Sequence, residues 1–484
     1  MKRLFLLCLL PLAALFPDDH TKLELKRTHH TLQTDAGPCH YTAITGTIPL
    51  FKLGEKKIAD MFFVAYIEKD KTDKAITFVF PGGPGGSCAA EVISTIGPRR
   101  MQTAEEGGTI LPPYKMIDNP ESLLPWTDLV FVDPVGTGFS RLADDLGDDA
   151  EPMTDLLCSV DGDIASLGHF TRTFISYFKR WNSPKYLAGI SYGTLRCCGL
   201  AEYLRGFDFN IHGLILLSSA LDYSLLLTQH NQPLAECLSI PTYAATAWYH
   251  KRFWPEKTLP EVIEYAKRFI YEEYAPIMLQ PSRLSPSELN AFYQRLGDLI
   301  GLPLETVKRY SGRFDENLYT TEFLGNERKV IGGFDSRYIG DLAETRRQGY
   351  EDPSYADVHG TFCTFNAYLQ KELDTDKPFD LYISGASQAW NFGTYDSIAW
   401  PDVVQRIRRT LIHNPRMLVF SGSGYYDCRT PFAATEYCFE HLDLPLSYKK
   451  NLQFEYYDAG HGFVFHLPSL QKLKKNLVTF YEKK

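Results

Sequence analysis

The sequence predicts an α/β protein: a mostly parallel central sheet with helices on both faces and a helical cap insertion. Three observations carry this. Apolar runs recur and each stops at a Gly-rich turn, as in KAITFVFPGGPGGSC, LPWTDLVFVDPVGTGFS and PKYLAGISYGT. Stretches with helical spacing, such as DIASLGHFTRTFISYFKRW, lie between them. Between about residues 224 and 378 the pattern becomes largely helical, and a strand-like run returns at FDLYISG. Strands that are apolar throughout and alternate with helices belong to a parallel sheet buried on both faces.

Taken in order, the first residues, MKRLFLLCLLPLAALF, join two positive charges to an apolar run. That run is shorter than a membrane span of ~20 residues and has the form of a signal peptide. It is expected over 1–17, cleaved near 14 to 18. The protein would then be exported, periplasmic or extracellular, with no stable membrane insertion after signal removal. Residues 20 to 70 read as antiparallel strands with turns. The first part of the core is expected over 18–223, the cap insertion over 224–378 and the second part of the core over 379–484. Within the insertion, SPSELNAFYQRLGDLIG opens a helix with Ser285 as N-cap, Pro286 at N1 and Glu288 at N3, a complete capping box. PRMLVFSGSGYYD and LQFEYYDAGHGFVFH are the last two strands, with the helix-like PFAATEYCFEHL between them and LPSLQKLKKNL as the final helix.

With 484 residues the chain can bury a large core without staples. A formal charge of −9 and the lack of a basic stripe exclude nucleic acid as a natural partner. Ten cysteines fit no compact disulfide framework, and the adjacent Cys197 and Cys198 read as small apolar packing residues. The sequence lacks an Asn-x-Ser/Thr sequon, which favours a bacterial exported protein over a glycosylated one. The histidines, including His29, His30 and His40, show no metal-ligand spacing, and no cofactor is implied. The sequence is silent on oligomeric state.

Chemistry concentrates at Gly189-Ile190-Ser191-Tyr192-Gly193, a G-x-S-x-G pattern with a strand before it and a helix after it. A serine hydroxyl is a weak nucleophile and needs a base and an orienting acid. Asp427 follows one later strand and His461 the next, in the order Ser, Asp, His. His466 and Asp458 are the rivals. His466 adjoins the last helix, and Asp458 is an awkward three residues from His461. Backbone donors for a tetrahedral oxyanion are expected from the glycine-rich FPGGPGGS, through the amide of Gly83, together with the amide of Tyr192.

With these residues in place, FPGGPGGS, IGPRR, VDPVGTGFS, GISYGT, LSSALDY, SGSGYYDCRTPFAATEY and AGHGFVFHLPSL together resemble the serine carboxypeptidase family, in a bacterial-type branch. The resemblance runs from roughly residue 22 to the C-terminus and implies the α/β-hydrolase fold. It also implies a peptide substrate, with residues released from its C-terminus, often at acidic pH. It places the nucleophile on Ser191, the acid on Asp427, the base on His461 and the oxyanion donors on Gly83 and Tyr192.

The family's carboxylate clamp is altered. Its usual Asn-Gly-Gly-Pro-Gly and Gly-Glu-Ser-Tyr-Gly have Pro81 before Gly82, and Ile190, where the gripping Asn and Glu should stand; a second acid falls on Ser94. Proline lacks an N–H and isoleucine offers only hydrocarbon. Burying an unpaired carboxylate against such a wall costs several kcal/mol. Arg99 or Arg100 of GPRR could supply a bidentate grip instead, or both could be structural arginines. Without clamp acids the low-pH preference should fade, leaving a lower limb set by a histidine, near ~6.5 if unperturbed. Other readings are a prolyl or tripeptidyl aminopeptidase-like peptidase, which shares a Pro-Gly-Gly-Pro-Gly loop, an esterase on the same fold, and a catalytically silent binding protein.

Overall fold

The computed structural model describes residues 23–34, 37–52, 56–69, 71, 73–108, 111–227, 233–342, 352–358, 360–375, 390–392 and 400–483. The expected signal peptide and the FDLYISG strand lie outside the described residues. The strands are β1 (Leu25–Thr34), β2 (Gly37–Lys52), β3 (Lys56–Glu68), β4 (Ala75–Phe80), β5 (Arg99–Met101), β6 (Met116–Asp118) and β7 (Thr127–Val132). After them come β8 (Arg141–Leu142), β9 (Lys185–Ile190), β10 (Gly213–Leu217), β11 (Lys329–Ile331), β12 (Ile339–Asp341), β13 (Leu418–Gly424) and β14 (Leu452–Tyr457).

Among the described residues, ten strands form one sheet in the order β1-β2-β3-β7-β4-β9-β10-β13-β14, with β8 beside β3. The first three pair antiparallel, as residues 20 to 70 led one to expect. From β7 onward every pairing is parallel. Strand side chains alternate between faces, and both faces are covered. On β3, Met61, Phe63 and Ala65 enter one core cluster while Phe62, Val64 and Tyr66 enter the other. The first cluster is closed by α2 (Ala150–Leu157), α3 (Val160–Tyr177), α4 (Tyr192–Arg205) and the helices Val404–His413 and Phe432–Glu440. The second is closed by α1 (Ala89–Ser94) and the helices Thr361–Lys371 and Leu467–Glu482.

The block between β10 and β13 carries α5 (Leu234–Tyr249), α6 (Leu259–Phe269), α7 (Ala275–Leu279), α8 (Pro286–Ile300), α9 (Leu304–Arg309) and α10 (Glu316–Glu322). These helices bury a core of their own, from Cys237 to Ile331, which also takes in Cys428, next to Asp427. Ser285 accepts from the Glu288 amide, and the Glu288 carboxylate returns to the Ser285 amide at 2.8 Å, the capping box read in the sequence. The helix Thr361–Lys371, within the same block, packs Phe365, Tyr368 and Leu369 on the sheet instead.

VDPVGTGFS proves to be scaffold. The buried Asp133 at the end of β7 accepts from the amides of Cys88 and Phe139, at 2.8 and 3.0 Å, and so ties two neighbouring loops together. Cys197 and Cys198 are fully buried apolar residues of α4, and every cysteine among the described residues is free.

Candidate active site

In a parallel sheet the turns after successive strands emerge on one edge, and that edge gathers function. Here it brings together the loop after β4, Ser191 after β9, Ser218 after β10, Asp427 after β13 and His461 after β14. Ser191 stands at the entry to α4 with φ 57° and ψ −125°, outside the regions a side chain ordinarily adopts. The two flanking glycines are sterically required. A Cβ on Gly189 would lie 2.2 Å from the Gly193 carbonyl oxygen, and one on Gly193 would lie 2.4 Å from the Phe80 oxygen. The turn is held by the Ser191 amide donating to the Leu217 carbonyl at 2.9 Å and the Thr194 amide donating to the Ser191 carbonyl at 2.9 Å.

Asp427 and His461 meet. The ring Nδ1 lies 2.8 Å from Asp427 Oδ2, an arrangement that leaves Nε2 for a partner. Asp427 is wholly buried, and its oxygens are satisfied locally. The amides of Arg429 and Thr430 donate to Oδ1 at 2.9 and 2.8 Å, and Thr430 Oγ1 donates to Oδ2 at 2.5 Å. His461 is fixed from behind by Ser218 Oγ, which donates to its carbonyl at 2.8 Å. Ser191 is tied by its amide to Leu217, the residue before Ser218, so one strand end anchors both. Among the described residues no hydrogen bond joins Ser191 Oγ to His461. In an unliganded hydrolase this contact is often loose and tightens only with substrate.

The glycine-rich loop lies against the serine. A Cβ on Gly82 would stand 3.0 Å from Ser191 Cβ and 3.5 Å from its Oγ, so a larger residue there would press on the serine. Gly83 is exposed, with φ 112°, and a Cβ there would strike the amides of Gly85 and Gly86 at 2.7 Å. Tyr192 is the first residue of α4 and buries its ring against Trp390. Behind the loop, Glu91 of α1 is enclosed, and burial pushes its carboxyl up to about 7, with the Gly82 amide and Arg196 pulling the other way.

Residues 43–204 match the family model of the serine carboxypeptidases. The expected resemblance is met there. That stretch is roughly a third of the chain; it holds Gly82, Gly83, Ser191 and Tyr192 and ends before Asp427 and His461. No curated protein matches the sequence. Among solved structures the chain is similar to Kex1, a prohormone-processing carboxypeptidase from Saccharomyces cerevisiae. The identity is 15%, 91% of each chain is covered and the TM-score is 0.54. An epoxide hydrolase mutant from Aspergillus niger (13% identity, 91% of this chain and 78% of that chain, TM-score 0.38) is more distant. So is the peroxisomal α/β-hydrolase Lpx1 from Saccharomyces cerevisiae (12%, 95% and 90%, 0.37). At these identities the likeness speaks to fold alone, and the fold is that of the α/β-hydrolases.

Where the family's clamp would stand, Ile190 is half-buried and packs against the second core cluster, and Pro81 is buried. Ser94 donates from Oγ to the Ala90 carbonyl at 2.5 Å. Arg99 sits in the β5–β6 ribbon with its guanidinium on Asp118 and Glu372, at 2.5 and 2.8 Å, so its charge is already matched. Arg100 is half-buried, near Glu121 and beside a small cavity lined by Ser94, Met101 and Phe465. Neither rival to the dyad joins it. His466 pairs with Ser469 Oγ at 2.7 Å and faces Glu106, and Asp458 is exposed at the end of β14.

Two features escaped the sequence. The stretch after β11 braces the turns of both Asp427 and His461. Phe334 O accepts from the His461 amide at 2.5 Å, Gly333 O accepts from the Cys428 amide at 3.0 Å, and Asp335 Oδ2 accepts from the Gly460 amide at 2.8 Å. Asp352 in turn accepts from the amides of Gly333 and Phe334, at 2.8 and 3.1 Å. The second is a charge pair beside the dyad. Arg429 lies 3.0 Å from Glu316 of α10, with its guanidinium 4.8 Å from the Phe334 ring, whose edge packs on His461. Burial pushes Glu316 up to about 7, Arg429 opposing and the nearby Asp427 and Asp352 adding to the rise. Nothing short of the fold places residues 316, 334 and 429 together.

Proposed function

We propose that the chain is a serine-type peptidase that releases C-terminal residues from peptides through an acyl-enzyme on Ser191. His461 takes the proton from Ser191 and returns it to the leaving amine, Asp427 holds the imidazole, and the amides of Gly83 and Tyr192 receive the oxyanion. The observation that carries this reading is the buried Asp427–His461 pair, 2.8 Å apart, on the strand edge that also presents Ser191 in its strained turn. The family match over residues 43–204 supports a hydrolase of this class. Within the proposal, Arg429 holds the substrate's terminal carboxylate: its part-exposed guanidinium lies two residues from Asp427 and carries one acidic partner, Glu316, where Arg99 is more buried and carries two. Export, implied by the first residues, is part of the same reading.

One observation favours the aminopeptidase alternative: Glu316 brings a carboxylate from the insertion to the neighbourhood of the dyad, where a free amino terminus would need one. Matched peptides separate the two. One set is blocked at the N-terminus and free at the C-terminus; the other is free at the N-terminus and amidated. Both are followed by mass spectrometry from pH 4 to 8, with Ser191→Ala as control. Ser191-dependent loss of C-terminal residues, weakened in KM by Arg429→Met, is expected. Cleavage from the free N-terminus alone, weakened by Glu316→Gln, would replace this reading with the alternative.

A further inference from the structure

Arg196 lies five residues after Ser191 on α4 and is completely buried. Helical side chains lean toward the N-terminus of their helix, which carries its guanidinium back to the level of the serine turn. There Nη1 donates to the carbonyl of Pro81 at 2.5 Å and to that of Gly82 at 3.2 Å. Nε donates to Asp163 Oδ2 of α3 at 2.7 Å, and the guanidinium carbon stands 4.8 Å from the centre of the Tyr192 ring. A planar fork held by a carboxylate on one edge has little freedom left in the direction of its other donors.

The peptide between Gly82 and Gly83 is trans, so its carbonyl and its N–H point in opposite directions. Turning the Gly82 carbonyl onto Arg196, beneath the loop, turns the Gly83 amide away from the core, and Gly83 is the exposed residue of the pair. We infer that Arg196, fixed by Asp163, is a positioning residue: it sets the orientation of the oxyanion loop through the carbonyls of Pro81 and Gly82. This rests on the reading of Ser191 as nucleophile and Gly83 as oxyanion donor. It also explains how the loop is held although Pro81 and Ile190 bring no polar side chain to it. The loop is fixed from beneath, by a cation that never touches substrate.

Removing Arg196 alone would leave Asp163 buried and unpaired, which can prevent folding. The test therefore uses Arg196→Met with Asp163→Asn, beside Arg196→Lys, the wild type and Ser191→Ala. Two substrates are compared, an N-blocked amino-acid ester and its thiono analogue, whose sulfur accepts hydrogen bonds poorly. In a folded double variant we expect kcat on the ester to fall about 100-fold with KM little changed. The preference for carbonyl over thiocarbonyl should shrink by about tenfold or more, and Arg196→Lys should recover part of both. A general packing defect would lower both substrates alike, so an unchanged preference overturns the inference, as does wild-type kcat. Amide hydrogen exchange over residues 81–88 reports on the loop without reference to turnover. Faster exchange is expected in the double variant, and unchanged exchange overturns the inference even if the wild type hydrolyses neither ester. A wild type without Ser191-dependent turnover but with a loosened loop in the variant would fault the reading of the site and leave Arg196 as the loop's anchor.

Discussion

Glu91 shows how much a single buried group governs here. It is buried, and burial pushes its carboxyl up to about 7. In the unfolded chain it titrates near 4.5, so between those values the folded protein holds a proton that the unfolded chain has released. Stability linked to this group is therefore full below about pH 4.5 and falls as pH rises toward 7. Glu316, also raised to about 7, adds to the same slope. Between pH 4.5 and 7.5 the melting temperature of Glu91→Gln should therefore follow pH with a less negative slope than that of the wild type; a variant with the wild-type slope would remove Glu91 from the account. Ser191, Asp427 and His461 stand out in the sequence as candidates because strand-end position and chain order single them out. Glu91 does not, since a glutamate on an amphipathic stretch gives no sign of being enclosed.

At the scale of elements, two helices make contrasting demands. Helix α4 begins at a turn with no spare volume, where a Cβ on Gly193 would sit 2.4 Å from the Phe80 oxygen and 2.9 Å from the Pro81 oxygen. Gly193→Ala should cost about 1–3 kcal/mol through overpacking. It should also displace the glycine-rich loop after β4, so that activity falls further than stability does; retained activity would show that the turn can yield. Helix α8 is ordinary by comparison, and Ser285→Ala should cost about 1 kcal/mol of its capping box with kcat unaltered. A denaturant titration alongside initial rates distinguishes the two. The capping box was legible because it is purely local, four residues with fixed roles. The β5–β6 ribbon that occupies Arg99 was not, because its partners Asp118 and Glu372 lie 19 and 273 residues away.

For the whole molecule, the block between β10 and β13 reaches the strand edge. Its stretch 333–335 clasps the turns that carry Asp427 and His461, so these two residues are held by a segment from outside the ten-stranded sheet. Asp335 is central: it accepts from the Gly460 amide and pairs with Arg337 at 2.7 Å, which in turn donates to the Asp458 carbonyl at 2.8 Å. Asp335→Asn turns an acceptor toward a donor and should lower kcat about tenfold or more, with a smaller change in KM, by loosening the turn before His461. Full activity in a folded Asp335→Asn protein would show that the sheet alone positions the histidine.

The sequence by itself determined the parallel sheet, the antiparallel strands that precede it, and the order and strand-end placement of Ser191, Asp427 and His461. It also determined the glycines that a strained turn and a close loop require. These follow from local rules: side-chain periodicity, the steric freedom of glycine, and the short reach from a strand end to its turn. Tertiary structure alone decided what stands around them. That Arg99 is occupied, that Arg429 and Glu316 lie beside the dyad, that Phe334 and Asp335 brace it, and that Arg196 binds the carbonyls of Pro81 and Gly82 are pairings across tens to hundreds of residues. A charged side chain carries no mark in sequence of which opposite charge, or which carbonyl, the packed chain will bring to it.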